Sequence, residues 1–271
     1  MRISMSALVV ATTTLLLTPS ARIEAQYAPG IFTQSTLLSA TYNPEATADV
    51  DQWFRNRLGE SGVASPFNFL EREVAEFRYG NNGSSGEREL GINARVTCTP
   101  GLCGGGLPFA AGDRVRTSGA WERFVFTRTA SAFSLMVGSQ VIAGTSSGNS
   151  PINAVIFRTR SNSTSSVSSA AQFRDLSVNG TAIGTDVGST SPLNTGSDLD
   201  YIMWVGSTDL TSFSIEGDIR LDFAGGNPGS SGLAAQIKTL QVSTVPEPTT
   251  WVLMLSGLAG LAAVARRRSA R

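Results

Sequence analysis

The sequence predicts an all-β protein, a jelly-roll-like antiparallel β-sandwich with one short helix, and three observations support this. Clusters of Ser, Thr, Gly and Asn recur about every ten residues between short apolar runs, as turns do in a sandwich. Residues 121–128 alternate in polarity and carry apolar groups on both faces, which is typical of a strand inside a sandwich. Gly138-Ser139 and Asn179-Gly180 separate pairs of strand-like runs and predict two tight hairpins.

The remaining elements follow in order along the chain. The polar segment 26–48 predicts an edge strand, and 49–58 predicts the helix, because Asp49 can cap apolar residues that recur at helical spacing. We expect this helix to plug one end of the sandwich. About a dozen strands in about 200 residues exceed a minimal immunoglobulin domain and favour a jelly roll. The other strands are predicted at 73–79, 88–96, 133–137, 140–144, 152–160, 173–178, 181–184, 199–205, 213–215, 218–223 and 233–242, with a loop at 185–197.

Residues 1–25 have the pattern of a secretory signal peptide, so they are excluded from the fold. Arg2 supplies the positive start, Ala7–Leu17 is a short apolar core, and cleavage is expected after Ala25, with Ala21 as the alternative. The apolar core is too short to span a membrane stably. A buried N-terminal helix is the other interpretation of this segment.

The C-terminal segment predicts a single transmembrane helix at 250–265, which carries no charge and no proline. It would span about 24 Å, less than the hydrocarbon core of a bilayer at about 30 Å. Arg266, Arg267 and Arg268 follow at once, and by the positive-inside rule they keep the C-terminus in the cytoplasm and the body outside. The helix is short for a permanent anchor and suits a transient one.

Pro246, Glu247 and Pro248 come directly before this helix. Each proline fixes its own φ and pushes the preceding residue toward extended geometry, so the segment is a stiff stalk. The stalk, the short apolar helix and the arginine cluster together resemble the PEP-CTERM sorting signal. This resemblance implies processing by exosortase, a membrane-embedded cysteine protease, in a Gram-negative bacterium that makes extracellular polysaccharide. An ordinary tail anchor with a proline-rich stalk is the alternative.

The predicted organisation is a signal peptide at 1–25, an extracellular β-sandwich domain at 26–244 and a sorting signal at 245–271. The protein is then exported to the cell envelope or extracellular surface and held transiently in the inner membrane by its C-terminal helix. Removing residues 1–25 and 249–271 takes away six of the 21 basic residues and one of the 21 acidic residues, which leaves a body with a net charge of about −5. An acidic body argues against a nucleic-acid partner.

Cys98 and Cys103 flank the turn pair Pro100-Gly101, which lets their side chains meet. In an exported protein this arrangement predicts a disulfide. A zinc site is the alternative, but two cysteines without histidine supply only half of its ligands.

Four motifs occur in succession at Gly86–Gly91, Phe157–Arg160, Leu176–Gly180 and Asp200–Trp204. Together they resemble the choice-of-anchor extracellular domains, most closely the W type, over about residues 45–242. The resemblance implies a surface location. It supplies no catalytic residue to carry over.

The chain has no histidine, which excludes Ser-His-Asp and Cys-His nucleophiles and most zinc and iron sites. We therefore expect no enzyme activity, no catalytic residue, no metal site and no cofactor. A glycoside hydrolase is the remote alternative, because it needs only two carboxylates, and Glu122 and Glu216 could face one groove. The other interpretation of both is an ion pair with an arginine such as Arg123 or Arg220.

Two further sets of residues are candidates for ligand binding. Asp198, Asp200 and Asp209 are candidate calcium ligands, although their spacing matches no EF-hand and loop aspartates usually cap turns. Aromatic side chains that can stack on sugar rings are Trp121, Tyr201 and Trp204, the last of which is expected in the core.

These observations favour a non-catalytic structural or adhesion protein of the cell surface or biofilm matrix, with exopolysaccharide as a candidate partner. A lectin-like glycan-binding module of the same matrix is the alternative.

Overall fold

The computed structural model describes residues 27–43, 46–58, 69–79, 89–94, 108–113, 117–145, 150–226, 228 and 232–242. The predicted features that lie outside these residues are the signal peptide, the disulfide of Cys98 and Cys103, the sorting motif Pro246, Glu247 and Pro248, the helix 250–265 and the cluster Arg266–Arg268.

The described part of the chain folds into strands and two short helices. The strands are β1 (Gly30–Thr33), β2 (Leu70–Tyr79), β3 (Glu89–Ala94), β4 (Pro108–Asp113), β5 (Trp121–Arg128), β6 (Ala132–Val137), β7 (Gln140–Thr145), β8 (Ile152–Asn162), β9 (Ser168–Val178), β10 (Thr181–Ala182), β11 (Val187–Ser191), β12 (Ser197–Leu210), β13 (Phe213–Ala224) and β14 (Leu233–Gln241). The helices are α1 (Gln34–Leu37) and α2 (Val50–Arg57).

The strands form two antiparallel sheets, which confirms the prediction of an all-β sandwich. Sheet 1 has the order β1-β12-β8-β14-β2-β3-β4. Sheet 2 has the order β10-β9-β13-β5-β6-β7, and β11 pairs with β9 beside β10. Long strands that follow one another along the chain mostly alternate between the two sheets, so the layers are interleaved.

Both predicted hairpins are confirmed. Val137 pairs with Gln140 across the first turn, and Val178 pairs with Thr181 across the second. In the second turn Asn179 and Gly180 have φ angles of 49° and 76°, the left-handed conformation that a two-residue hairpin needs at both positions.

Several boundaries differ from the predictions. The predicted loop 185–197 contains β11, because three alternate residues of this segment turn apolar or hydroxyl side chains inward while the two between them stay exposed. The predicted strands 213–215 and 218–223 are one strand, β13, in which Gly217 is a buried position with no room for a side chain. The strand β4 and the helix α1 were missed, since neither has a periodic apolar pattern long enough to predict them.

The main core lies between the two sheets. At its centre four phenylalanines meet, Phe77 and Phe157 from sheet 1 and Phe124 and Phe173 from sheet 2. Their ring centroids lie 5.5–5.8 Å apart with steep interplanar angles, the edge-to-face geometry that aromatic pairs prefer. This cluster fixes the distance between the layers at the middle of the sandwich.

A second core lies on the outer face of sheet 1. There α2 and the N-terminal segment bury Trp53, Phe54 and Tyr27 against Ala154 and other strand residues. Sheet 1 is therefore buried on both faces, which explains why β8 is buried without a break from residue 152 to 157. The predicted helix is confirmed, with the Asp49 side chain accepting a hydrogen bond at its start, but it covers a face of the sandwich and does not plug an end.

A buried ion pair joins the two layers. Arg128 of sheet 2 donates from Nη1 to Oε1 of Glu73 in sheet 1 at 2.7 Å, and both side chains are almost fully buried. The guanidinium also donates to the carbonyl of Leu210 at 2.9 Å, and the Thr239 hydroxyl donates to Glu73. Burial raises the pKa of Glu73 above its ordinary value, although the Thr239 hydrogen bond and the charge of Arg128 oppose this shift.

This arrangement predicts a strong penalty for breaking one half of the pair. Arg128→Met should lower the free energy of unfolding by about 3–5 kcal/mol, because Glu73 is left buried without its cation. The double variant Glu73→Leu/Arg128→Met should lose clearly less. Urea denaturation measures both, and Arg123→Met on the same strand is the control, since its exposed pair should contribute below about 1 kcal/mol. Equal losses for Arg128→Met and Arg123→Met would contradict the prediction.

Candidate functional site

The C-terminal end of the described chain is bonded firmly to sheet 1. The last strand, β14, lies inside sheet 1 and pairs with β8 on one side and β2 on the other. Just beyond it, Val242 is buried, and its backbone is bonded twice to Asn153 at the start of β8. The Asn153 amide donates to the Val242 carbonyl at 2.8 Å, and the Val242 N–H donates to Asn153 Oδ1 at 2.8 Å. The last described residue, Val242, is therefore fixed to the sheet by two hydrogen bonds.

A polar network lies beneath α2 on the outer face of sheet 1. Arg158 of β8 donates from Nε to the Tyr201 hydroxyl at 2.5 Å, and its Nη2 lies 3.2 Å from Asp51 Oδ1. Tyr201 in turn donates to Asp51 at 2.5 Å, and Gln236 accepts from Arg158 Nη1 at 3.1 Å. The network ties the first turn of α2 to the centre of the sheet. The network was not predicted from the sequence. Arg158 in the most apolar predicted strand was the available signal, because a buried arginine needs polar partners.

The electrostatics of this network are those of a structural clamp. Burial raises the pKa of the Tyr201 hydroxyl far above its usual range, so it stays a neutral donor. Burial would also raise the pKa of Asp51, but the charge of Arg158, the Tyr201 hydrogen bond and the charge of Lys238 outweigh it, so the pKa of Asp51 is lowered. Asp51 is therefore ionised at neutral pH and holds α2 in place.

The three aromatic candidates for sugar stacking occupy different places. Tyr201 is fully buried in the second core, and Trp204 faces the main core, where it packs against Gly206. Trp121 lies on the outer face of sheet 2 and is half-buried. The Arg174 guanidinium stacks over its ring at 4.0 Å from the centroid. Of these three residues, Trp121 alone lies on a solvent-facing side of a sheet.

The two carboxylates considered for glycoside hydrolysis do not converge. Glu122 is opposite Ile219 in the register of β5 and β13, and Ile219 faces the main core. Glu216 is opposite Val125 on the other face of the same sheet, where it accepts from Arg123 at 2.9 Å. Because cross-strand partners share a face, Glu122 and Glu216 point to opposite sides of sheet 2. This pair cannot flank one glycosidic bond.

The aspartates considered for calcium bind backbone groups. Asp198 accepts from the Thr190 N–H at 2.7 Å, and Asp200 accepts from the Gly188 N–H at 3.0 Å. Their carboxylates thus satisfy the free edge of β11 and attach this strand of sheet 2 to β12 of sheet 1. Asp209 lies apart from them, in the irregular final stretch of β12.

The described residues contain neither a metal cluster nor a membrane-spanning helix. Within them, no group of three or more acidic or cysteine side chains has an arrangement that would hold a metal ion. No helix among them combines the length and the apolar composition needed to cross a membrane. The predicted helix at 250–265 lies outside this part of the chain.

The geometry describes a β-sandwich whose last described strand, β14, is central in its sheet and is followed by the bonded residue Val242. The residues that come next in the sequence match the family described as the PEP-CTERM protein-sorting motif, over residues 244–269. The chain therefore carries the sorting motif of an exosortase substrate, an exported protein directed to the cell envelope or surface. The comparison with curated proteins found no match for this chain.

The Asp51 clamp predicts a pH-dependent contribution to stability. Because the pKa of Asp51 is lowered by folding, its contribution is complete above the ordinary value of 3.8 and is lost as the pH falls through the lowered value. Asp51→Asn should therefore lower the free energy of unfolding by about 1–3 kcal/mol at pH 7, and this deficit should shrink in acid. Urea denaturation between pH 7 and pH 3 tests this, with the exposed Asp175→Asn as control. A deficit that stays constant into acid would refute the clamp.

Proposed function

We propose that this protein is a non-catalytic structural or adhesion component of the cell surface or extracellular matrix, delivered on a tail that exosortase processes. The position of Val242 carries the proposal, because the described sandwich is bonded up to this residue and the matched sorting segment begins two residues later, at residue 244. A sandwich whose last strand lies this close to the sorting segment is the domain that the signal would deliver. The tail would hold it transiently in the inner membrane, and exopolysaccharide would be its partner after release.

The charge arrangement of the exposed sheet supports a structural role. On the outer face of sheet 2 the carboxylates are matched with arginines across neighbouring strands or along one strand. The pairs are Arg123 with Glu216 at 2.9 Å, Arg174 with Asp218 at 3.1 Å and Arg220 with Asp222 at 2.6 Å. Such a ladder keeps the exposed face of the sheet soluble.

The strand order also supports a jelly roll, the finer fold class proposed here. The four-strand stretches β2-β14-β8-β12 in sheet 1 and β5-β13-β9-β11 in sheet 2 have the order that two interlocked Greek keys produce. The strands β6 and β7 then extend sheet 2 as an added hairpin. The resemblance of residues 45–242 to the choice-of-anchor domains is part of the same proposal. That family groups surface domains that have related bodies but different C-terminal tails.

The sorting proposal is tested by removing the stalk. Replacement of Pro246, Glu247 and Pro248 by alanine should leave the full-length precursor unprocessed, because the stiff extended segment is lost. Intact-mass spectrometry of protein from cells with and without exosortase measures this, with Ser243→Ala as the matched control just outside the matched segment. Wild-type mass that is identical in both strains would overturn the proposal.

Glycan binding is the second candidate function, and the position of Trp121 favours it. The Arg220 guanidinium lies 6.0 Å from the Trp121 ring centroid and 2.6 Å from Asp222. Asp222 lines a cavity of about 250 Å³ on the same face, together with Ser168 and Thr190. An aromatic ring on the same sheet face as hydroxyl and carboxylate groups offers the chemistry that recognises a sugar chain, which has apolar ring faces and polar edges.

This candidate predicts a specific loss on removing the ring. If the body binds a polysaccharide on a glycan array, Trp121→Ala should weaken binding by about tenfold or more, since the stacking surface is lost. Val125→Ala, a half-buried residue on the same face of the same strand, is the control and should change binding little. Binding that survives Trp121→Ala unchanged would remove this face from consideration, and an array with no signal would leave the structural role.

A further inference from the structure

Val242, the last described residue before the tail, lies at one defined end of the sandwich, and the strand registers identify what else lies there. Strand β14 runs toward this end, so its antiparallel partner β8 begins there and β12, the partner of β8, ends there. In sheet 2, Arg128 at the end of β5 pairs with Phe213 at the start of β13, directly after β12. The turns β5–β6, β9–β10 and β12–β13 therefore all close the end from which the tail emerges.

The length of the tether restricts how far this end can move from the membrane. Seven residues, 243–249, separate Val242 from the predicted membrane helix, and fully extended they span at most about 25 Å. Two prolines stiffen this stalk, and the Asn153 bonds prevent it from lengthening at the expense of the fold. A protease that cleaves within or beside these residues must therefore come within about 25 Å of Val242, close enough to contact the sandwich.

Among the described residues, the three turns at this end and the irregular stretch of β12 are polar and nearly uncharged. The exposed residues of its three turns and of the irregular stretch of β12 carry hydroxyl, amide or small side chains, and Asp209 is the one charged residue among them. They are Thr129, Ala130, Ser131, Asn179, Gly180, Ser207, Thr208, Asp209, Thr211 and Ser212. A surface of this kind can be covered by another protein without burying unpaired charges.

We propose that this end of the sandwich, the tail-exit surface, is the docking surface for the outer face of the membrane-embedded sorting protease. The inference rests on the proposed function and adds to it a role for the folded body. The protease then recognises its substrate through the stalk and through the neutral turns beside it, and processing depends on a body that is folded up to Val242.

Charge substitutions test the surface with a matched control. Ala130→Glu/Thr211→Glu places two carboxylates on the tail-exit surface, and Ser139→Glu/Ser165→Glu places two on turns at the opposite end of the sandwich. In a pulse-chase measurement, the first variant should be processed about tenfold more slowly than wild type, because docking would bury unpaired carboxylates. The control should be processed at the wild-type rate, and equal melting temperatures would show that both variants fold.

The outcomes separate the two levels of the proposal. If wild type is not processed, the proposed function fails. If wild type is processed and both variants follow it, the tail-exit surface is overturned. A photo-reactive phenylalanine at position 211 should cross-link to a protease whose nucleophilic cysteine has been replaced, whereas one at position 165 should not. Cross-links from position 211 to lipid alone would mean that the surface faces the bilayer, and they would also overturn the docking proposal.

Discussion

The whole structure depends on the two-sided pairing of β14, the last strand before the tail. It bonds to β8 from Ala234 to Leu240 and to β2 along its full length, so sheet 1 has no continuous hydrogen-bonded centre without it. Its alternate side chains reach both cores, with Ile237 in the main core and Leu240 beneath α2. The segment that completes the fold is therefore the segment next to the sorting signal. The body therefore cannot complete its fold until the chain has been exported as far as residue 242.

Two buried polar networks give the apolar layers their register. Arg128 and Glu73 join sheet 1 to sheet 2, and Arg158 with Asp51 joins sheet 1 to α2. A third attachment is backbone-directed, because the carboxylates of Asp198 and Asp200 accept from β11 across the open side of the sandwich. Apolar side chains alone would tolerate small slips between layers, whereas these bonded groups are satisfied in one arrangement. Without their bonded partners, the same charged residues would resemble a catalytic or metal-binding cluster.

Features set by short-range interactions could be predicted from the chain alone. The Asn179-Gly180 turn needs two left-handed residues and has them, and the helix at Val50–Arg57 begins where Asp49 can cap it. The sorting motif at 244–269 was also predictable, because its Pro-Glu-Pro segment, apolar run and arginine cluster are recognised by their linear order and need no fold around them. By contrast, β11 was missed, because its edge is completed by side chains of β12 and its own pattern is weak.

The sequence by itself determined the sandwich class, the hairpins, the capped helix and the sorting tail, since each depends on periodicity or on neighbours within a few residues. The tertiary structure alone decided which face each side chain occupies. It separated Glu122 from Glu216, buried Tyr201, left Trp121 half-buried on a solvent-facing side of sheet 2 and laid α2 across the outer side of sheet 1. The physical reason is that a strand specifies two alternating faces but not which one meets a partner layer, and that choice is made by residues distant in the chain.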